Sequence, residues 1–259
     1  MLDAHIHVDE LAPHQFGDSL WRDPDYRAII PGVEPQQSIQ TRDRFQHEPR
    51  LRQAIALHPW WVMDETDGPD ASATFAQVAE LAAQPWVLAV GETGLDHLKC
   101  PPGHAAAERV DAYFTAHARL ACELGKPLIV HAVRCHAAVL RTLQPWLRQG
   151  VRCMIHAYAG SSEETRNYLR AGCYLSIGPP VTRPGSRRVR TAAVEIPLDR
   201  LLIETDAPAM AAGLERRMGE GEIDDIRRVA AEIAGLRGIS VQALTESTNA
   251  SAHALFGEW

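Results

Sequence analysis

Cysteine is scarce in this chain of 259 residues, and the five present, at positions 100, 122, 135, 153 and 173, form an odd set with no C-x-x-C spacing. That pattern suggests neither a disulfide framework nor a thiolate zinc site, and reads as buried or reduced free thiols. No apolar run approaches the roughly 20 residues that a membrane-spanning helix needs. The N-terminus also lacks the basic region, apolar stretch and small-residue cleavage site of a secretory signal, because Asp3, His5, His7, Asp9 and Glu10 interrupt it. The expectation is a cytoplasmic protein with no membrane contact. Positive charge is short as well: 26 Lys and Arg against 33 Asp and Glu give a net charge of −7, which excludes a broad basic face that holds long nucleic acid by counterion release. A small phosphate site is compatible with that balance, since a bound divalent metal inverts the local sign. Repeats, low-complexity tracts and dividing linkers are missing too, so a single domain over 1–259 is expected.

What is there is a regular alternation. Short β-rich apolar runs fall at Leu2–Val8, Ala28–Val33, Gln53–His58, Trp86–Glu92, Pro127–Val133, Arg152–Tyr158, Tyr174–Gly178 and Leu201–Glu204. Helical spacing fills the gaps, at Gln36–Gln46, Ser72–Ala83, Ala105–Leu124, Ala137–Gln149, Ser162–Ala171 and Arg187–Ala193, with a last helix expected over Ile223–Leu236. Eight strands alternating with seven helices over about 250 residues is the pattern of an α/β protein with a (β/α)8 TIM barrel. The 18 residues from Glu10 to Arg27, with Pro13, Gly17 and Pro24, read as a long loop at its mouth.

Metal-binding side chains recur where the apolar runs end, the end at which parallel barrels place their active sites. The first run carries His5 and His7, two residues apart, so that both rings point to one side of a strand. His58 closes the third run, Glu92 and Asp96 follow the fourth, His131 sits in the fifth and His156 in the sixth, and Glu204-Thr205-Asp206 follows the eighth. One such residue is ordinarily a capped or solvated group; six at equivalent positions converge on an axis. Trp60 and Trp61, beside His58-Pro59, suit either stacking on a base or packing beneath the loop. Arg183, Arg187 and Arg188 read as solvated side chains.

The stretches Asp3 to Asp9, Leu57-His58-Pro59, Gly91 to Asp96, His131 with Arg134, Ile155 to Ser161, Glu204 to Pro208 and Asn249 to Phe256 resemble, in this order, the TatD family of metal-dependent hydrolases in the amidohydrolase-like superfamily. The resemblance covers nearly the whole chain and implies a distorted barrel of the metal-dependent hydrolase type. It further implies that His5, His7 and Asp206 hold one metal, that His131 and His156 hold a second, and that Glu92 bridges them. The ions are divalent, from zinc, magnesium or manganese. With two carboxylates and a hydroxide the centre keeps a charge of about +1, which favours a phosphodiester. Asp206 then takes a proton from water, Glu92 serves the same centre, and His58 and Arg134 contact the phosphate. The implied activity is a deoxyribonuclease acting on single-stranded or terminal DNA, with no protein partner indicated. Two alternatives stay open on the residues alone: an amide, ester or aminoacyl hydrolase using the same metals, and a metal-binding subunit of a larger assembly. The chain departs from the family pattern in Glu10–Arg27 and after Pro208, where Ala209 to Arg217 replaces a more usual Arg-Asn-Glu-Pro-like run.

Overall fold

The computed structural model describes residues 1–16 and 21–258, so residues 17–20 of the expected 10–27 loop lie outside the described residues. The strands are β1 (Leu2–Asp3), β2 (Arg27–Ile30), β3 (Leu51–Ile55), β4 (Val87–Asp96), β5 (Leu128–Val133), β6 (Cys153–Ile155), β7 (Tyr174–Ile177) and β8 (Leu201–Ile203). The helices are α1 (Pro35–Phe45), α2 (Pro59–Asp64), α3 (Ala73–Ala82), α4 (Ala107–Leu124), α5 (His136–Leu147), α6 (Ser162–Arg170), α7 (Arg187–Glu195), α8 (Asp225–Arg237) and α9 (Val241–Phe256). Eight parallel strands in sequence order with helices between them make this a (β/α)8 barrel fold. No described helix is long and apolar enough to cross a membrane.

The chain divides into two compact units, Met1–Ile30 with His156–Trp259, and Pro31–Ile155. In the first, β1 pairs with β2 and β7 with β8, both parallel. The chain ends are joined there, since the Ala4 N–H donates to the Ile203 carbonyl at 3.0 Å and the Asp206 N–H to the His5 carbonyl at 2.9 Å. In the second, β3, β4, β5 and β6 run parallel in that order, with a register shift in β4 between Val90 and Thr93. Val, Ile, Leu and Ala make up most of the strand residues, and most of these are buried, as expected for strands covered on both faces.

Local chemistry explains most helix starts. Ser161 and Glu164 form a reciprocal capping box on α6, and the Ser72 side chain caps α3 by accepting from the Phe75 N–H. Two helices escape the periodicity. α2 is six residues long and starts on Pro59, with the His58 ring as its cap. α9 follows the helix expected to be last; its run of Thr, Ser and Asn masks a stripe of Leu244, Thr248, Ser251, Ala252, Leu255 and Phe256, which is buried at i, i+4, i+7, i+8, i+11 and i+12. Its Asn249 Oδ1 accepts the Leu2 N–H at 3.0 Å and so anchors β1.

Within the second unit, His117 of α4 is completely buried. Its Nε2 accepts the Leu57 N–H at 3.1 Å, so the ring proton resides on Nδ1, 2.8 Å from the Tyr113 carbonyl and 3.0 Å from Thr93 Oγ1. One neutral imidazole thus ties α4 to the residue before His58 and the residue after Glu92. Burial pushes its pKa down to about 4 against the Tyr113 hydrogen bond. The unfolded chain therefore binds a proton that the folded one does not between pH 6.5 and about 4, and acidification through that window removes about 3 kcal/mol of stability. Urea unfolding at pH 6.5, 5.5 and 4.5 is expected to show this extra loss in the wild type and a shallower pH slope in His117→Gln; equal slopes would contradict it.

Candidate active site

In the first unit the donor residues come from the ends of two strands and from the residue after β6. Only Leu2–Asp3 of the expected first strand is regular, and His7 already has φ −88° and ψ 68°. The pairing of His5 and His7 therefore depends on tertiary bonds rather than on strand alternation: the His7 N–H donates to the Ala207 carbonyl at 2.9 Å, and the Ile6 N–H to the Ile29 carbonyl at 3.1 Å. Asp206 Oδ1 lies 3.6 Å from Nε2 of both His5 and His7. His156 stacks on His5 with ring centroids 4.1 Å apart. Donor atoms of His5, His156 and Asp206 lie within 4.8 Å of one another, and all three residues are buried.

These spacings fit a metal ion better than a hydrogen-bonded cluster. At 3.6 Å the His–Asp206 contacts are too long for hydrogen bonds, whereas two ligands each about 2.0–2.1 Å from one tetrahedral ion are separated by roughly 3.4 Å. The electrostatics agree. Burial raises the Asp206 pKa, and the attraction of His5, His156 and His7 does not cancel it. The imidazoles supply too little positive charge for this carboxylate, and a divalent cation is the group whose charge suits it.

Behind the donors stand two further buried acids. Asp3 Oδ1 accepts N–H groups of His5 and Thr205 at 3.2 and 3.0 Å, and its Oδ2 accepts the Thr205 hydroxyl at 2.6 Å. Burial nonetheless pushes Asp3 up to about 8. Glu204 Oε1 accepts the Ala157 N–H at 2.5 Å and lies 3.7 Å from His156 Nδ1. Burial acts to raise its pKa, but the His156 hydrogen bond and charge and the His5 charge prevail and hold it low. The sequence reading gave neither a ligand or catalytic role; the signal that could have found them is that each stands two residues from a candidate donor.

The second unit brings His58, Glu92 and His131 together with their donor atoms inside 4.8 Å, all buried. Glu92 Oε1 is 2.7 Å from His131 Nδ1 and 3.2 Å from His58 Nε2. The His58 tautomer follows from its cap: Nδ1 accepts the Trp60 N–H at 3.1 Å, so the neutral ring carries its proton on Nε2, aimed at Glu92. His131 is flanked on its other side by Asp96, with Nε2 to Oδ2 3.4 Å. Asp96 also accepts the Trp60 indole N–H at 2.7 Å and the Leu98 and Lys99 N–H groups at 2.8 and 3.1 Å. Burial acts to raise the Asp96 pKa, yet the hydrogen bonds from His131, Trp60, Lys99 and Leu98 prevail and hold it far below the usual carboxylate range. The expected fourth strand ended at Glu92; β4 runs on to Asp96, so Glu92 lies inside the strand at its register shift.

Arg134 is exposed at the end of β5 with φ 55°, and stands outside both donor clusters. Arg183, read as solvated, instead donates to the Ala211 and Gly213 carbonyls, both at 3.3 Å. Gln15 donates to the Gly219 and Gly221 carbonyls, each at 3.0 Å. The two departures from the family pattern are therefore laced to each other through residue 15.

Comparison with known proteins places the site in context. The sequence profile of the TatD-related DNase family matches residues 2–257. The chain is 29% identical to the 3'-5' ssDNA/RNA exonuclease TatD of Escherichia fergusonii, over 88% of this chain and 86% of that protein. It is 29% identical to the uncharacterized metal-dependent hydrolase YcfH of Escherichia coli K12, over 99% and 95% of the two chains. The crystal structure of YjjV, a TatD homologue from Escherichia coli K12, superimposes with a TM-score of 0.86 at 24% identity, covering 100% of this chain and 98% of that one.

Gly94 has φ +144°, and a Cβ built there collides with the His131 carbonyl. Gly94→Ala is therefore expected to displace β5 at the donor His131, costing at least about 2 kcal/mol and lowering Tm by about 5 °C or more. A thermal melt indistinguishable from wild type would show that the strands accommodate the methyl group.

Proposed function

The chain belongs to the TatD-related DNase family, and from that premise we propose that it hydrolyses phosphodiester bonds of single-stranded or terminal DNA with two divalent ions, from zinc, magnesium or manganese. In this reading His5, His7 and Asp206 hold one ion, His131 and His156 the second, and Glu92 takes the bridging role that the family resemblance gives it. The observation that carries the reading is Asp206: buried, short of positive charge, with imidazole nitrogens of His5 and His7 at 3.6 Å. When bound, the ions lower the pKa of a water and offset the charge of the reacting phosphate.

The chain's own groups divide the remaining work. Asp206, beside His5 and His7, accepts the proton of the attacking water. His58, with its ring proton on Nε2, donates a hydrogen bond to a phosphate oxygen. Arg134, exposed at the end of β5, supplies a forked contact to a phosphate further along the strand. Asp96 holds the His131 ring from the side opposite Glu92, the carboxylate–histidine arrangement that fixes which nitrogen faces a metal. Hydrolysis directed to ends agrees with the net charge of −7, which favours short contacts over wrapping of a duplex.

A labelled single-stranded oligonucleotide, incubated with protein purified without chelator and analysed for bound metal, tests this. Cleavage is expected to stop with EDTA, to return with added metal, and to fall about 10²–10⁴-fold in Asp206→Ala. An inert oligonucleotide with turnover of an amide or ester panel would transfer the same residues to the other bond class.

A further inference from the structure

Trp60 is the second residue of α2, and 43% of its surface faces solvent. A tryptophan so exposed is ordinarily free to turn, but this one is fixed. Its indole N–H donates to Asp96 Oδ2 at 2.7 Å, on a carboxylate only 2% exposed. Its ring stands edge-to-face with His58, centroids 4.8 Å apart, and with His131 at 6.0 Å. Lys99 places its ammonium 3.3 Å from the centroid of the indole ring. The outcome is a large π face held in water at a set angle, reached by a cation and adjoining two histidines of the site.

We propose that Trp60 is a stacking platform for a nucleobase of a single-stranded substrate, and that Lys99 belongs to the same subsite as the cation for the phosphate of that nucleotide. A base is flat, and takes the place of the ammonium on the indole face. Lys99, an exposed residue on a flexible stem, then turns to the backbone phosphate. Stacking tolerates any base because every base offers a π face, which suits a nuclease that degrades strands of any sequence. Asp96 is the positioning residue: it holds the indole in advance of binding, so little ordering is left to be done when the base arrives. A base on Trp60 brings its phosphate to the neighbourhood of His58, whose Nε2 carries the ring proton. The subsite rests on the nucleolytic reading above and adds to it a contact with bases rather than phosphates.

The test uses the full-length, metal-loaded enzyme and two strands of equal length: oligothymidylate, and a tetrahydrofuran strand with the same phosphates but no bases. Trp60→Leu is expected to raise KM for oligothymidylate about tenfold, within the range for one stacked base, with kcat changed less than about twofold and KM for the baseless strand unchanged. Trp60→Phe, which keeps an aromatic face but not the N–H that Asp96 holds, is expected to raise KM for oligothymidylate less than Trp60→Leu does. Equilibrium binding of the labelled strands to Asp206→Asn protein, in which turnover is suppressed, is expected to show the same pattern. Wild-type enzyme that binds both strands alike overturns the subsite whatever the variants do. So does a Trp60→Leu loss of equal size on both strands, which would mean that Trp60 acts by packing on His58 and His131. Base-dependent binding through Trp60 without cleavage supports the subsite and removes the nuclease assignment. Neither binding nor cleavage removes both.

Discussion

A carboxylate taken out of water among imidazoles is electrostatically incomplete, and much of the active-site chemistry of this protein follows from that condition. Asp206 cannot be neutralised by His5, His7 and His156 to the extent that its burial demands. Desolvation of an ion costs several kcal/mol even after relaxation, so such a group persists only where its surroundings are built to receive a matching charge. The acids behind it are handled differently. Asp3 is surrounded by N–H and hydroxyl donors and still titrates at about 8, whereas Glu204 is held low by His156 and His5. Acids of similar burial thus differ in protonation because their nearest partners differ.

The backbone reflects the same demand. Arg134, Ala157 and Asp206 have φ of 55°, 46° and 49°, and each follows a strand end that supplies a donor. Left-handed conformations in residues with a Cβ cost on the order of 1 kcal/mol or more each. They are retained where tertiary bonds determine the turn: the Asp206 N–H is fixed by the His5 carbonyl, and the Ala157 N–H by Glu204 Oε1. A sharp turn just past the strand end lets the chain depart for the next helix. Gly94 serves the same end by contact, since only a residue without Cβ lets β4 lie against the His131 carbonyl.

The fold was legible in the sequence because burial on both faces of a parallel sheet leaves uninterrupted Val, Ile and Leu runs, and a helix leaves a 3.6-residue stripe. Seven helices and eight strands were found that way. α9 was missed because its Thr, Ser and Asn content has weak helix propensity, although its buried stripe spans Leu244 to Phe256. α2 was missed because six residues beginning with Pro59 carry too little pattern. The candidate donors stood out for another reason: His and acids at the ends of apolar runs are conspicuous against their neighbours.

Sequence alone determined the alternation of strand and helix and which His and acidic side chains stand as candidate ligands, since these depend on side-chain type and spacing along one dimension. The three-dimensional packing decided what those side chains mean. That the His58 proton sits on Nε2, that Asp96 grips both His131 and Trp60, and that Arg183 and Gln15 are spent on tying loops are facts of distance between residues far apart in the chain. Hydrogen bonds and desolvation act over a few ångströms in space and are blind to separation in sequence, so no reading of the string could have assigned them.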